Sequence, residues 1–377
     1  MSSENQTKVN DYLVIIIFLA IISFPLVAQL FDFDLEAVNT ENRSKATLPD
    51  ISLTSKSIRE YPKNFETYFN DNFGMRDLLI RGYNYLSYFC FSKSPSDRVL
   101  IGKEGWLFYS AGHIIEEYRG IKLLTNNQLH QWRKVLMQRQ DNLKAHDIHY
   151  LFVVPPNKHS IYSEYLPDYI TKVGDITPLD QIASLKQNCG QLPFLDLRPP
   201  ILKAKLQNPM FYKFDTHWNK LAGYFAYKEI ISEISNWYPE LHTLEFDKIK
   251  FIEKTAEISD MARMIGLPNI LKEPQQSIKA QLCARKSKIQ IVELSDKYKQ
   301  IKLRSKFCNK SRLRAVVFHD SFVWAFASYL SECFSEILFI QSRYNQDIVN
   351  EILAQYKPDI IIEECVERKL RQVPKLN

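Results

Sequence analysis

A serine at the junction of a strand-like run and a helical one is the first place in this sequence where covalent chemistry could occur. Ala315-Val316-Val317-Phe318 reads as a buried strand, His319-Asp320-Ser321 follows, and an apolar stretch from Phe322 reads as a helix. A hydroxyl so placed sits over free backbone N–H groups at the positive end of a helix. Such groups can hold an oxyanion, and the Phe322 backbone N–H is the natural donor. The same position also suits a serine that does nothing but cap a helix. A base is available in Phe214-Asp215-Thr216-His217-Trp218-Asn219. With one residue between them, Asp215 can accept a hydrogen bond from one imidazole nitrogen of His217 and leave the other facing a nucleophile. A capping aspartate beside a structural histidine accounts for that spacing equally well. A metal site would draw on Asp215, His217, His319 and His159, but no HExxH-like pair or cysteine cluster supports one. With ten glycines and no phosphate loop or dinucleotide fingerprint, no cofactor is implied.

These residues need a scaffold, and the hydrophobic pattern supplies one. Asn127 to Ala145 reads as a helix with Leu129, Trp132, Leu136 and Leu143 on one stripe, and Ile148 to Val154 reads as a buried strand ended by Pro155-Pro156. Pro178 to Gln187 is a second helix, Pro193 to Leu197 a short strand, and Asn219 caps a helix running to about Ser235. The last third continues the alternation: strand 314–318, helix 322–333, strand 336–340, helix 346–356, strand 359–362. Strand and helix in turn imply an α/β fold with a mostly parallel sheet and helices on both faces. Between about 241 and 311 the rhythm breaks. Short alternating runs at Lys248 to Ile252 and Lys288 to Val292 predict β structure inserted into the core.

The composition is that of a globular protein: 377 residues, 45% hydrophobic and 24% charged, which excludes collagen-like, mucin-like and disordered chains. Tyr12 to Phe31 is a run of twenty uncharged residues, long enough to span a bilayer core as a helix. The expected organisation is a cytoplasmic N-terminus at 1–11, a transmembrane anchor at 12–31, a polar linker at 32–57, and one exported domain at 58–377 with the insertion at about 241–311. Export would allow Cys90, Cys189, Cys283, Cys308, Cys333 and Cys365 to pair, although free buried thiols fit as well. The net charge of +6 is modest, yet Lys279 to Arg314 holds twelve Lys or Arg against Glu293 and Asp296. An acidic polymer or anionic headgroups suit that patch, as does an ordinary solvated face; a membrane anchor disfavours nucleic acid.

Taken together, the blocks Phe65-Glu66-Thr67-Tyr68-Phe69-Asn70-Asp71-Asn72-Phe73-Gly74-Met75-Arg76, Gly102-Lys103-Glu104-Gly105-Trp106-Leu107-Phe108-Tyr109, Val154-Pro155-Pro156-Asn157-Lys158 with Ile161-Tyr162, Asp215-Thr216-His217-Trp218, Asp320-Ser321-Phe322 and Glu367-Arg368 carry a resemblance. In this order they resemble the bacterial alginate O-acetyltransferase family, whose catalytic domains are SGNH hydrolase-like three-layer sandwiches with permuted motif order. The resemblance implies a triad of Ser321, His217 and Asp215, and it adds Lys158, Tyr162 and Arg343 as candidates for oxyanion or substrate contacts. It further implies a single-pass inner-membrane protein whose periplasmic domain acetylates exported polysaccharide hydroxyls, with a membrane-bound O-acyltransferase supplying the acetyl group. His319 stands where that family commonly has glycine. A periplasmic carbohydrate esterase with the same triad, or a non-catalytic polysaccharide-binding subunit, are the alternative readings.

Overall fold

The computed structural model describes residues 3–30, 44–51, 54–189, 192–286, 292–308 and 311–374. They fall into two compact units, residues 1–96 with 262–270, and residues 97–261 with 271–377.

The first unit is helical. Its helix Ser3–Leu30 has Pro25 inside and exposes apolar side chains from Tyr12 to Phe24. Among the described residues no helix is long and apolar enough to cross a membrane. Phe31 and most of the expected linker lie outside the described residues. The next helix, Ser55–Asn72, starts three residues before the expected onset at Ile58, because Thr54 caps it by accepting the Ser57 N–H at 3.3 Å. A left-handed residue, Met75, turns the chain into the helix Arg76–Phe89.

The second unit holds the strands, numbered along the chain as β1 (Val99–Ile101), β2 (Leu107–Tyr109), β3 (His149–Val154), β4 (Phe194–Asp196), β5 (Lys250–Ile258), β6 (Lys272–Lys279), β7 (Arg285–Lys286), β8 (Leu303–Phe307), β9 (Arg314–Phe318), β10 (Glu336–Ile340) and β11 (Ile360–Glu364). Seven of them form one sheet in the order β4-β3-β11-β9-β10-β8-β7. β4 through β10 pair in parallel, and β8 and β7 add an antiparallel edge. Period-two alternation divides the core. Val153, Ala315, Val317 and Ile362 face the helices Arg198–Lys205 and Lys220–Ile234. Phe152, Val316, Phe318 and Ile361 face Asn126–Lys144, Pro178–Cys189 and Gln346–Leu353. Each large side chain fully buried on these faces contributes about 1.5–3 kcal/mol. The result is the α/β sandwich with a mostly parallel sheet that the alternation predicts, with the parallel strands delivering their C-terminal ends to one edge.

One expected element differs. Instead of a continuous helix over 322–333, a tight 3-10 turn runs Ser321–Ala325 and a single turn of α-helix follows at Ala327–Leu330. The turn lies hard against Gly223, where an added Cβ would overlap the carbonyl group of Ala325. Gly223→Ala should therefore destabilise the fold by about 1–3 kcal/mol and lower the reactivity of Ser321 by shifting the turn. Denaturant midpoint and ester hydrolysis measured on the same variant check both effects.

The β-rich insertion is a hairpin of β5 and β6, irregular between Glu253 and Ala256. Its predicted start near Lys248 is close to the observed strand, while Lys288 to Ile291 lie outside the described residues. Cys283 and Cys308 form a disulfide that ties the β7 side of the sheet to β8. The N–H groups of Cys283 and Ala284 donate to the Glu332 carboxylate at 2.9 and 2.7 Å. Cys90, Cys333 and Cys365 are not in disulfides, and the side chain of Cys189 is not among those described. Closing a loop with a sequence separation of 25 should be worth about 3 kcal/mol. The Cys283→Ser/Cys308→Ser protein should accordingly unfold at a lower denaturant concentration, and added reductant should no longer change its midpoint.

Candidate active site

β9 ends at Phe318, and the chain leaves the sheet through two tightly held residues. The His319 N–H donates to the Ile340 carbonyl at 3.0 Å, and the Asp320 N–H donates to Glu364 at 2.8 Å. The Asp320 carboxylate accepts the Phe322 N–H at 3.0 Å, the Val366 N–H at 3.2 Å and the Lys369 ammonium at 3.0 Å. Burial raises its pKa, but the Lys369 charge and these bonds outweigh that and hold it below the usual carboxylate range. Burial pushes the neighbouring Glu364 carboxyl well up. The outcome is a rigid turn that presents Ser321 to solvent.

The base comes from a second turn, closed by the bridge Phe211↔Trp218. Glu273 on β6 clamps it by accepting the Lys213 N–H at 2.6 Å and the Phe214 N–H at 2.7 Å. The buried Lys158 ammonium donates to the Lys213 carbonyl at 3.3 Å and to the Leu107 carbonyl at 2.9 Å. Within the turn, Asp215 Oδ1 accepts the His217 backbone N–H at 3.0 Å and lies 2.7 Å from His217 Nδ1. Burial pushes the Asp215 carboxyl up, and the hydrogen bond and charge of His217 and the Asp260 N–H bring it below its ordinary value. An ionised Asp215 can only accept, so Nδ1 carries the proton and Nε2 is left as an acceptor. Ser321 Oγ lies 2.7 Å from that Nε2.

Three further interactions fasten the two turns. The Trp218 indole N–H donates to the Phe322 carbonyl at 3.0 Å, the Lys220 ammonium donates to the Trp324 carbonyl, and Gly223 packs on Ala325. Around the serine is an open cleft of about 350 Å³. Its floor is Ser321, His217 and Trp218, and its walls include Trp324, Lys220, and Lys254, Glu257, Gln275 and Gln276 of the β5–β6 hairpin. Burial, then the charges of Lys306 and Lys254, bring the Lys220 ammonium down to about 8.

Residues 99–341 match the family described as SGNH hydrolase-like domain, acetyltransferase AlgX. The chain belongs to this family. AlgX-type acetyltransferases therefore give the coarse activity, and solved structures extend the likeness in fold. PatB1 of Bacillus cereus, solved with a sulfonyl adduct, is 14% identical with a TM-score of 0.53 over 74% of this chain and 100% of that one. A DHHW family protein from Eubacterium siraeum is 13% identical, TM-score 0.50, over 72% and 90%. The O-acetyltransferase domain of Pseudomonas putida AlgJ is 18% identical, TM-score 0.46, over 74% and 94%. No curated protein sequence gives a significant match.

In this AlgX-family chain the structure brings Asp215, His217 and Ser321 together and leaves Lys158, Tyr162 and Arg343 outside the cleft lining. The Phe322 ring lines the cleft, but its N–H is not the free oxyanion donor expected, because the Asp320 side chain already accepts it. Lys158 is buried on backbone carbonyls, and burial brings its ammonium down to about 8. Tyr162 is likewise structural: its hydroxyl accepts the Met210 N–H at 2.8 Å and its ring stacks on Trp106. Arg343 lies 3.7 Å from the buried Glu363, away from the cleft lining. His319 is buried with Nδ1 2.7 Å from the Asp320 carbonyl and its ring edge-on to Trp324, so it supports the cleft wall rather than entering the cleft. Burial lowers its pKa.

Asp215, His217, His319 and His159, the side chains a metal site would draw on, do not form one group among the described residues. Among the described residues, Asp215, His217 and Asp260 have donor atoms within 4.8 Å of one another, as do Cys283, Cys308 and Glu332, whose sulfurs are in the disulfide. His159 and His319 belong to neither group. Sequence reasoning missed Asp260, Glu273, Lys220 and Lys254. Three of them lie in the insertion, where no spacing marks a return to the base turn; Lys220 was hidden as an ordinary first-turn helix residue.

Proposed function

We propose that this protein is an O-acetyltransferase that carries an acetyl group on Ser321 and passes it to a hydroxyl of an exported polysaccharide. The observation that carries the reading is the 2.7 Å approach of Ser321 Oγ to His217 Nε2, with Asp215 on the opposite ring nitrogen, inside an acetyltransferase-family fold. His217 takes the hydroxyl proton as Ser321 Oγ bonds to the donor's carbonyl carbon. Asp215 stabilises the imidazolium. The tetrahedral intermediate collapses, the donor's C–O bond breaks, and the leaving oxygen takes the proton back from His217. An acceptor hydroxyl then enters, gives its proton to His217 and bonds to the acetyl carbon; the bond from that carbon to Ser321 Oγ breaks, and Oγ takes the proton back from His217.

Location and partners follow as part of the same reading. The apolar run beginning at Tyr12 suits an inner-membrane anchor, and the Cys283–Cys308 disulfide suits an oxidising periplasm. A membrane-bound O-acyltransferase would supply acetyl groups, and the lysines of the cleft suit an anionic acceptor. The openness of the cleft to water favours one second reading, an esterase in which water resolves the acetyl-serine.

The test is incubation of the purified chain with an acetyl ester and a panel of oligosaccharides. Acetylated sugar supports transfer. Acetate released at the same rate with or without sugar supports the esterase, and sugar binding with no turnover of the ester overturns both.

A further inference from the structure

Asp260 reaches the site from the far side of β5 and takes part in neither of the turns that carry Ser321 and His217. Its backbone N–H donates to Asp215 Oδ2 at 2.9 Å. Its own carboxylate accepts the Thr216 N–H on Oδ1 at 2.8 Å and the Thr216 hydroxyl on Oδ2. That same Oδ2 is 3.7 Å from His217 Nδ1, and Thr216 Oγ1 is 3.3 Å from it. Two carboxylates thus stand behind one imidazole nitrogen: Asp215 in direct hydrogen bond, Asp260 one step out.

We propose that Asp260 is a positioning residue for acyl transfer: its backbone N–H fixes the Asp215 side chain, and its carboxylate adds negative charge beside the imidazolium formed when Ser321 loses its proton. The proposal rests on the assignment of Ser321 and His217 given above. A carboxylate that served only to hold the turn would need its bonds to Thr216 and nothing else. Asp260 also places an oxygen within reach of the histidine nitrogen whose proton directs the base. The two acids are separated in character as well. Burial and the Asp215 charge raise the Asp260 carboxyl, whereas Asp215 lies below its ordinary value. Asp215 is therefore the permanent acceptor at Nδ1, and Asp260 is held in place by the two Thr216 donors. Because the bond from Asp260 to Asp215 comes from the backbone, side-chain substitution at 260 leaves it intact and isolates the effect of the charge.

Five variants of the full chain decide the matter: Asp260→Asn, Asp260→Glu, Thr216→Val, Asp215→Asn and Asp215→Asn/Asp260→Asn, each assayed for hydrolysis of a chromogenic acetyl ester. Asp260→Asn should lower kcat about 10- to 100-fold, the size typical of losing an outer partner that orients a histidine, with KM for the ester unchanged. Asp260→Glu should recover part of that loss. The double variant should fall below Asp215→Asn alone, since in the single variant Asp260 is the remaining acceptor near Nδ1. The downfield proton resonance of His217 Nδ1 should move in Asp260→Asn and stay in place in Thr216→Val, which removes a hydroxyl but no charge. Wild-type kcat in Asp260→Asn would overturn the proposal. So would a loss matched by Thr216→Val with the Nδ1 resonance unmoved, which would make the role that of a latch. Full activity in Ser321→Ala would instead remove the underlying assignment, so the two failures are separable.

Discussion

Ser321→Ala is expected to lower acetyl transfer by about 10⁴-fold or more, the loss that follows removal of a nucleophile acting in concert with its base. The fold should be untouched, since Ser321 is exposed and the hydrogen bond of its Oγ is to His217. The proposed acetyl-enzyme needs Oγ, so the mass increment expected when the wild-type chain meets an acetyl ester and no acceptor should be absent from the variant. KM for the acceptor should change little, because the cleft walls from the β5–β6 hairpin and Trp324 remain in place. Intact mass spectrometry and initial rates on one preparation check all three statements. An acetylated Ser321→Ala chain would mean that another side chain carries the group.

The second large effect is on stability. Arg139, on the Asn126–Lys144 helix, meets Glu363 on β11 inside the core, with side-chain exposures of 8% and 0%. Tyr150 donates to the same Glu363 oxygen at 2.6 Å, and the guanidinium stacks 4.2 Å from the Tyr344 ring. Burial opposes the charge on Arg139, but Glu363 and Tyr150 outweigh it and raise its pKa. Arg139→Met would leave Glu363 buried with Tyr150 and, at 3.7 Å, Arg343. Breaking one half of a buried pair costs about 3–5 kcal/mol. The Arg139→Met/Glu363→Leu protein should be less destabilised than the single variant, because no carboxylate is left fully buried without Arg139, and Arg343, which loses Glu363, is partly exposed. Chemical denaturation measures both. Tyr150 and Tyr344 pack on the opposite face of the sheet from Trp218 and Phe322, so the folded fraction of either variant should keep its rate.

What could be read from the sequence is what is encoded locally. The alternation of strands and helices follows from hydrophobic period, and it placed β3, β4, β9, β10 and β11 within a residue or two of where they lie. Asp215 and His217 were legible because one intervening residue lets a side chain reach back onto its own turn. Ser321 was legible because a strand end is a special place in an α/β sheet. The failures share a cause. An amide N–H looks free at Phe322 until the neighbouring Asp320 side chain takes it. A lysine beside an expected cleft looks like a ligand until Lys158 is found among backbone carbonyls. Helix 322–333 is interrupted by a helix about a hundred residues earlier, through the missing side chain of Gly223. Asp260 and Glu273 act only after the chain has doubled back, and composition does not record that return.

The β5–β6 hairpin has two duties at once. Lys254 and Gln276 face the cleft, while Glu273, three residues before Gln276 in sequence but turned toward the base, braces the backbone of Lys213 and Phe214. Remodelling this ribbon to reshape the cleft would consequently disturb the alignment of His217. The shape of the cleft and the placement of the base are mechanically linked and cannot be adjusted one at a time.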